Sequence, residues 1–246
     1  MVTSTGSALA VPDWPLSNGQ FFPKMDGGVF YEHGHRMIAG TIGILTFILA
    51  AWLWRTEPRP GVRLFGLAAA GVVVLQAVLG GVTVLYRLPV PISVAHACLG
   101  QIFFCLLVCI AVLTASPEDF QHAEKMTKLQ RLGLMTVGFI FLQLIAGAIL
   151  RHTGRFLHLH LAGALLVVIH VQLLCRRVLK SYPLTTFLAK LAAMLPLIVI
   201  GQLVLGYISW KTGPVVMTTA HVAVGALIFA GCVVITLQSF REGARA

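Results

Sequence analysis

Seven long apolar stretches constrain what this chain can fold into. An α-helix needs roughly 20 apolar residues to cross a bilayer core, and none of the stretches alternates as a transmembrane β-strand does. With 58% hydrophobic and 11% charged residues, the chain is unlike a soluble globular protein. The sequence therefore predicts an all-α, polytopic membrane helix bundle with seven transmembrane helices. The stretches are Met37–Trp54, Leu64–Tyr86, Ile92–Thr114, Leu132–Leu150, Leu157–Cys175, Leu188–Trp210 and Val215–Leu237.

Positive charge lies mainly on one side of this predicted bundle. Of the 18 Lys and Arg residues, twelve follow the first, third, fifth and seventh spans and six lie on the other side. By the positive-inside rule the N-terminus is outside and the C-terminus is cytoplasmic. We therefore attribute the net charge of +10 to topology and to anionic lipids, and expect a multi-pass protein of the cell (inner) membrane with no nucleic-acid partner.

Two segments of the chain repeat each other. From Gln76 the sequence is QAVLGGVTVLYRLPVPISVAHACLGQIFF, and from Gln202 it is QLVLGYISWKTGPVVMTTAHVAVGALIFA. In both, Q-x-x-x-G leads through an outer turn to Ala-His and a second apolar helix. The repeat predicts two halves related by a pseudo-two-fold axis, residues 1–114 and 132–246, joined by a polar cytoplasmic linker at 115–131.

The repeat also predicts a helix before Met1. The exit of the fourth span, Arg151–Gly154, resembles Val2–Gly6 at the start of the chain. The first-half copy of the fourth span should therefore precede Met1. We expect the complete architecture to be two four-helix halves, of which the first helix is missing here.

Four histidines form two matching pairs near the outer ends of their spans: His35 with His96, and His160 with His221. Bis-histidine ligation of haem iron requires two imidazoles that face each other from neighbouring helices. Zinc and non-haem iron usually require closer clusters that include thiolates or carboxylates. We therefore predict two haem sites near the outer face. In the second half His158 remains an alternative to His160, because two alignments of the repeat are open.

Glu32 is the only acidic residue beside a predicted ligand. At i, i+3 it shares a helix face with His35, and near a haem it could handle protons or stabilise positive charge. The alternative is a helix-terminal carboxylate that the macrodipole favours. Arg36, Arg151 and Arg155 lie on the outer side, where they either bind haem propionates or anchor helices.

The first half has an extra piece of chain, Ser7–Phe30, which we call the outer segment. There are 30 positions from Thr5 to His35 but only seven from Thr153 to His160. This segment is long enough to cover a site. The asymmetry predicts chemistry in the first half and a structural haem in the second.

Q-x-x-x-G occurs three times, at Gln76–Gly80, Gln143–Gly147 and Gln202–Gly206. Glycine lets membrane helices approach closely, and glutamine can form hydrogen bonds between them. We interpret these motifs as helix packing rather than catalysis.

With these residues the chain resembles the heme A synthase family. VTSTGSALAVPDWPLSNGQ followed by EHGHRM is similar to that family's first outer loop and second helix, and AHACLG and AHVAVG are similar to its ligand motifs on the fourth and eighth helices. The resemblance covers essentially the whole chain. It implies an eight-helix enzyme that oxidises the C8 methyl group of heme O to the formyl group of heme A, for terminal oxidase assembly.

The resemblance also implies a role for each site residue. His35 and His96 would take the substrate haem, His160 and His221 would hold a haem b that passes electrons, and Glu32 would be the functional acid. The implied partners are heme O, a heme O synthase and a membrane electron acceptor.

Three features depart from the family pattern. The first helix is absent, and no cysteine lies between Thr5 and His35, where some members carry a cysteine pair. Leu161 (or Leu159, beside His158) stands where an arginine often follows the second-half ligand. Two rival functions remain: a di-haem b-type cytochrome that only transfers electrons, and a non-catalytic haem carrier.

Overall fold

The computed structural model describes residues 2–115 and 126–243. Within these residues the regular elements are seven α-helices, each at least 25 residues long and apolar enough to span a membrane. At 1.5 Å per residue the shortest is about 38 Å long, more than the roughly 30 Å of a bilayer core. The prediction of an all-α, multi-pass bundle with seven helices is confirmed. The helices are α1 (Gly27–Thr56), α2 (Pro60–Leu85), α3 (Val90–Thr114), α4 (Met126–Thr153), α5 (Leu157–Ser181), α6 (Phe187–Thr212) and α7 (Val215–Gly243).

Two helices begin more than five residues before the predicted apolar stretch. Helix α1 begins at Gly27, well before the apolar run that starts at Met37, because the outer segment satisfies the polar side chains of its first turns. Helix α4 begins at Met126, so the end of the predicted linker is helical. Residues 116–125 of that linker lie outside the described residues.

The helices pack differently in the two halves of the chain. In the second half α4, α5, α6 and α7 form a closed ring, in which each helix packs on two neighbours. In the first half α1 packs on α2 and α2 packs on α3. Helix α3 also packs on α4 and α7, which joins the halves.

The tightest packing lies at one end of the bundle. The buried residues of α5, such as Val171 and Val178, are all in its second half, and those of α6, such as Leu188 and Val199, are in its first half. Since α5 and α6 are consecutive and run in opposite directions, these residues lie at the same end. In α5 and α6 the other end, where α5 begins, contains no buried residue and is packed less tightly.

Candidate functional site

All four predicted ligands lie near the start of an odd-numbered helix, at the less tightly packed end. Short turns lead into α3, α5 and α7; in the turn before α7, Gly213 takes a left-handed backbone conformation with φ of 61°, which glycine adopts without strain. The histidines that match in the sequence repeat therefore also occupy equivalent positions in their helices. The ligands are His35 in α1, His96 in α3, His160 in α5 and His221 in α7.

His160 and His221 form a close pair. Their ring centroids lie 6.4 Å apart and the ring planes make an angle of 67°. An imidazole nitrogen binds a metal at about 2 Å, so two rings on opposite sides of one ion have centres roughly 6 Å apart. The Nδ1 atom of His221 lies 3.1 Å from the backbone oxygen of Gln202. When Nδ1 donates this hydrogen bond, Nε2 is left as the ligating atom.

The other histidines of α5 do not face His221. His158 is exposed, with its ring 6.5 Å from that of Phe156. Nδ1 of His170 bonds the carbonyl oxygen of Leu166 in its own helix at 2.9 Å. Of the two alignments of the repeat, the geometry therefore favours the one that pairs His160 with His35.

In the first half, His35 lies in α1 and His96 in α3, two helices that both pack on α2. His35 lies three turns before the buried residue Thr46 and on the same face of α1, but its own side chain is exposed. His96 is half-buried, and its Nδ1 atom is buried without a hydrogen-bond partner. This pair is more open than the pair in the second half.

Glu32 is a buried carboxylate, with only 3% of its surface exposed. One oxygen accepts a hydrogen bond from Arg36 Nη2 at 2.5 Å, and the other accepts one from the backbone N–H of Val11 at 2.9 Å. The ion pair has the i, i+4 spacing of neighbours on one helix face. Glu32 therefore connects α1 to the outer segment.

Arg36 extends this connection. Its guanidinium also donates to the backbone oxygens of Val11 (3.2 Å), Asp13 (2.8 Å) and Leu16 (2.6 Å). Three carbonyl groups of the outer segment thus point at one buried cation. The sequence suggested Arg36 as a propionate ligand. In the structure its guanidinium donates hydrogen bonds to Glu32 and to the outer segment.

Further contacts fix the outer segment over the ends of α1 and α2. Ser17 Oγ lies 2.8 Å from Nδ1 of the buried His33. The ring of Trp14 lies so close to Gly81 of α2 that a Cβ atom there would be 2.7 Å from Trp14 Cδ2. Only glycine allows this approach, so α2 also takes part in holding the segment.

A turn within the outer segment is closed by Asp13. Its carboxylate accepts hydrogen bonds from the backbone N–H groups of Asn18 (2.7 Å) and Gly19 (2.9 Å). The Gly19 N–H makes the largest contribution to lowering the pKa of Asp13 below its usual value, against a smaller opposing effect of desolvation. The turn is therefore stabilised by an ionised carboxylate.

The two remaining arginines have different surroundings. Arg151 donates to Ser4 Oγ at 2.5 Å, and Ser4 Oγ lies 3.4 Å from Oγ1 of Thr219, two residues before His221 in α7. Arg155 is exposed in the turn between α4 and α5. Arg151 is thus the arginine that lies beside the second-half histidine pair.

Sequence reasoning missed what the Q-x-x-x-G motifs contact. Each motif packs against one of the predicted ligands: Gly80 against His96, Gly147 against His160, and Gly206 against His221. A signal was present in the sequence, because each glutamine lies 17 to 20 residues before the histidine that it meets.

The donor set fits a haem better than a bare metal ion. In the described residues, no group of three or more His, Cys, Asp and Glu side chains is placed to hold a metal. Two imidazoles leave zinc short of its usual four ligands, whereas a porphyrin brings its own equatorial nitrogens. The separation of His160 and His221, between helices that pack loosely at that end, suits such a group.

Fold and site together define a multi-pass helical membrane protein with two pairs of histidines at one end of the bundle. The sequence profile of the COX15-CtaA family of cytochrome oxidase assembly proteins matches residues 26–160, more than half of the chain. The chain belongs to this family. The match includes Glu32, His35, His96 and His160.

The chain is also similar to individual relatives, two of them named heme A synthase and one named protoheme IX farnesyltransferase. The chain is 30% identical to the heme A synthase of Bacillus licheniformis over 163 residues, which are 64% of this chain and 54% of the relative. It is 24% identical to the heme A synthase of Shouchella clausii over 233 residues, 82% and 77% of the two chains. A protoheme IX farnesyltransferase of Halobacterium salinarum is 33% identical over 122 residues, 49% of this chain and 28% of the relative. The chain spans about half the length of the Bacillus relatives that it matches.

Proposed function

We propose that this protein acts as a heme A synthase and oxidises the C8 methyl group of heme O to the formyl group of heme A, for terminal oxidase assembly. Family membership and two relatives named heme A synthase support this activity. One structural observation carries the proposal. Among the described residues, a buried carboxylate next to a histidine pair occurs in the first half, where Glu32 is bound by the outer segment, and electron transfer alone requires neither feature.

The first half is the proposed site of chemistry. His35 and His96 hold heme O as the substrate, and Glu32, one turn before His35 on the same face of α1, is the catalytic acid or base. Converting a methyl group to a formyl group with water as the oxygen donor releases four protons and four electrons, and the electrons pass to the membrane acceptor. A carboxylate can accept such a proton or stabilise positive charge as it develops.

Arg36 keeps Glu32 in place for this task. Its 2.5 Å ion pair, together with the Val11 N–H, holds the carboxylate in one position. Glu32 is buried and the Arg36 side chain is 14% exposed, so their attraction is screened less by water than that of a surface pair. The outer segment that Arg36 binds covers Glu32 and His33, which are buried, while the side chain of His35 stays exposed.

The second half is the proposed haem b site. His160 and His221 are its axial ligands, and Arg151, beside His221, is placed to bind a propionate through charge-assisted hydrogen bonds. Arg155 is a second, more exposed candidate for a propionate. When bound there, a haem b would supply one-electron chemistry.

The proposed partners follow from the substrate. Heme O must be supplied by a heme O synthase, and the match to a protoheme IX farnesyltransferase is consistent with that link. The electrons leave to a membrane acceptor, and anionic lipids contact the basic loops. The proposed orientation has the N-terminus outside, the haem sites near the outer face of the cell membrane, and halves 1–114 and 132–246.

Co-expression with a heme O synthase tests the function. Haem extracted from the purified chain should contain heme O or heme A together with haem b, and heme A should increase with expression of the chain. Haem b alone would favour a di-haem cytochrome. Bound haem with no conversion of heme O would favour a carrier, and either result would overturn the proposed activity.

A further inference from the structure

The glycines of the three Q-x-x-x-G motifs meet the same atom of their histidines. A Cβ atom built on Gly80 would lie 3.2 Å from Cε1 of His96; on Gly147, 3.0 Å from Cε1 of His160; on Gly206, 2.9 Å from Cε1 of His221. Cε1 lies between the two ring nitrogens, so each glycine faces the same edge of the ring. In all three pairs the ring occupies the space that a side chain would take.

The glutamines complete a reciprocal contact. The amide nitrogen of Gln76 donates to the backbone oxygen of His96 at 3.0 Å, and that of Gln143 donates to the backbone oxygen of His160 at 2.8 Å. In the third pair, the backbone oxygen of Gln202 bonds Nδ1 of His221 at 3.1 Å. The motifs of the first two pairs therefore contact both the ring and the backbone of their histidine, whereas the third motif contacts the ring of His221, through Gly206 and through the backbone oxygen and side-chain amide of Gln202.

A second set of glycines makes room for the glutamines. Gly100, Gly163 and Gly225 follow the histidines by one turn, and a Cβ atom on any of them would contact the amide group of Gln76, Gln143 or Gln202. Two helices thus interlock. The histidine ring of one helix occupies the space beside a glycine of the other, and the glutamine amide of that other helix occupies the space beside a glycine of the first. We call each set of glutamine, glycine and histidine a histidine clasp.

General helix packing does not account for this pattern. In the same helices, a Cβ atom on Gly71, Gly138 or Gly201 would meet nothing within 4 Å. Other glycines of these helices are confined by different side chains, Gly81 by Trp14, Gly66 by Leu53 and Gly133 by Thr236, whereas the motif glycines are the ones confined by a histidine ring. They are therefore distinguished by the histidine and not by the helix.

We propose that the three histidine clasps position their imidazoles for haem iron, with Gly147 and Gly206 setting the ring orientation in the second half and Gly80 setting that of His96. This proposal rests on the assignment of these histidines as haem ligands. Groups that hold a ligating histidine fix its tautomer and ring direction, and losing one typically lowers metal affinity 10- to 100-fold.

The test compares glycine variants of the full chain, each purified from cells that supply haem. Gly206→Ala and Gly147→Ala add one methyl group against a ligand ring. Gly201→Ala and Gly138→Ala add the same group in the same helices, where nothing lies nearby. The readouts are the electron paramagnetic resonance spectrum of the ferric low-spin haem, its midpoint potential and its rate of loss to apomyoglobin.

We expect the two clasp variants to shift the low-spin signal and to lose haem at least tenfold faster than wild type, and the two controls to match wild type. Gln202→Leu and Gln143→Leu should shift the signal in the same way, with Gln172→Leu in α5 as their control. If the glycine variants do not accumulate as folded protein, the spectra and haem-loss rates of the glutamine variants test the proposal instead.

Clasp variants with the wild-type spectrum, potential and rate of haem loss would overturn the proposal and leave the haem assignment intact. Wild-type protein without a bis-histidine spectrum would overturn both. Controls that change as much as the clasp variants would show that any added group in α4 or α6 has this effect, which also overturns the clasp.

Discussion

The two halves of this protein offer the same pair of histidines in different surroundings. In the second half His160 and His221 lie 6.4 Å apart within a closed ring of four helices. In the first half His35 and His96 lie beside a row of three helices, with a buried ion pair and the outer segment above them. Holding a haem requires imidazoles and a fixed helix packing, whereas modifying one also requires a charged group and protection from water.

The charged residues sharpen this contrast. Glu32 and Arg36 are buried together at the start of α1, and the start of α5 has no acid: Leu157 stands three residues before His160. Even a paired charge loses hydration when it is taken out of water, and the attraction between the two groups often does not repay that loss. The first half therefore has a desolvation cost that the second half avoids, which agrees with the proposed chemistry in the first half.

The largest expected effect is the loss of the second-half haem. Replacing His160 or His221 by alanine should abolish the bis-histidine haem b spectrum, because the iron loses one axial ligand. Optical and electron paramagnetic resonance spectra of the purified protein measure this. His158→Ala and His170→Ala are matched controls that should retain the signal, since neither ring faces His221. A low-spin spectrum that survives in both ligand variants would remove the second-half assignment.

A smaller effect is expected on the attachment of the outer segment to α1. Arg36→Gln leaves the carboxylate of Glu32 buried without its cation, and breaking a buried pair typically costs about 3–5 kcal/mol. We expect hydrogen exchange of the Val11 amide to accelerate at least tenfold, while haem b in the second half is retained. Arg155→Gln replaces an exposed arginine and should change stability by no more than about 0.5 kcal/mol. Unchanged exchange at Val11 would mean that Arg36 does not hold the segment.

The smallest effect concerns pH and the turn of the outer segment. Because the pKa of Asp13 lies below its usual value of 3.8 in the folded turn, the ionised carboxylate stabilises the turn at pH values above 3.8. This contribution is lost as the pH falls through the lowered pKa. The amide resonances of Asn18 and Gly19 should therefore shift only below pH 3.8, and Asp13→Asn should remove the transition. A transition centred above 3.8 would contradict this sign.

Much of the fold was accessible from the sequence because burial in a bilayer requires continuous apolar helices. The start of α1 was not, since hydropathy excludes Glu32, His33 and Arg36 from a span. These residues remain helical because residues far away in the sequence, Val11 and Ser17, satisfy their polar groups. Such tertiary contacts leave no periodic pattern.

The site was predictable in part. The repeat identified which histidines to compare, and the structure brings His160 to His221 as the pairing anticipated. The ion pair between Glu32 and Arg36 follows from their i, i+4 spacing but competed with a propionate role for Arg36. The histidine clasps could not be predicted from the sequence, because the ring on one helix and the glycine on another come into contact only when the helices pack.

The division of labour between the halves is tested most directly by Glu32→Gln, which removes the charge and keeps the shape. The measurement is the ratio of heme A to haem b extracted from the purified protein after co-expression with a heme O synthase. A positioned acid or base typically contributes a factor of about 10²–10⁴, so we expect heme A to fall by about 100-fold or more while haem b stays at the wild-type level. Wild-type heme A in this variant, or loss of haem b along with it, would contradict the assignment of chemistry to the first half.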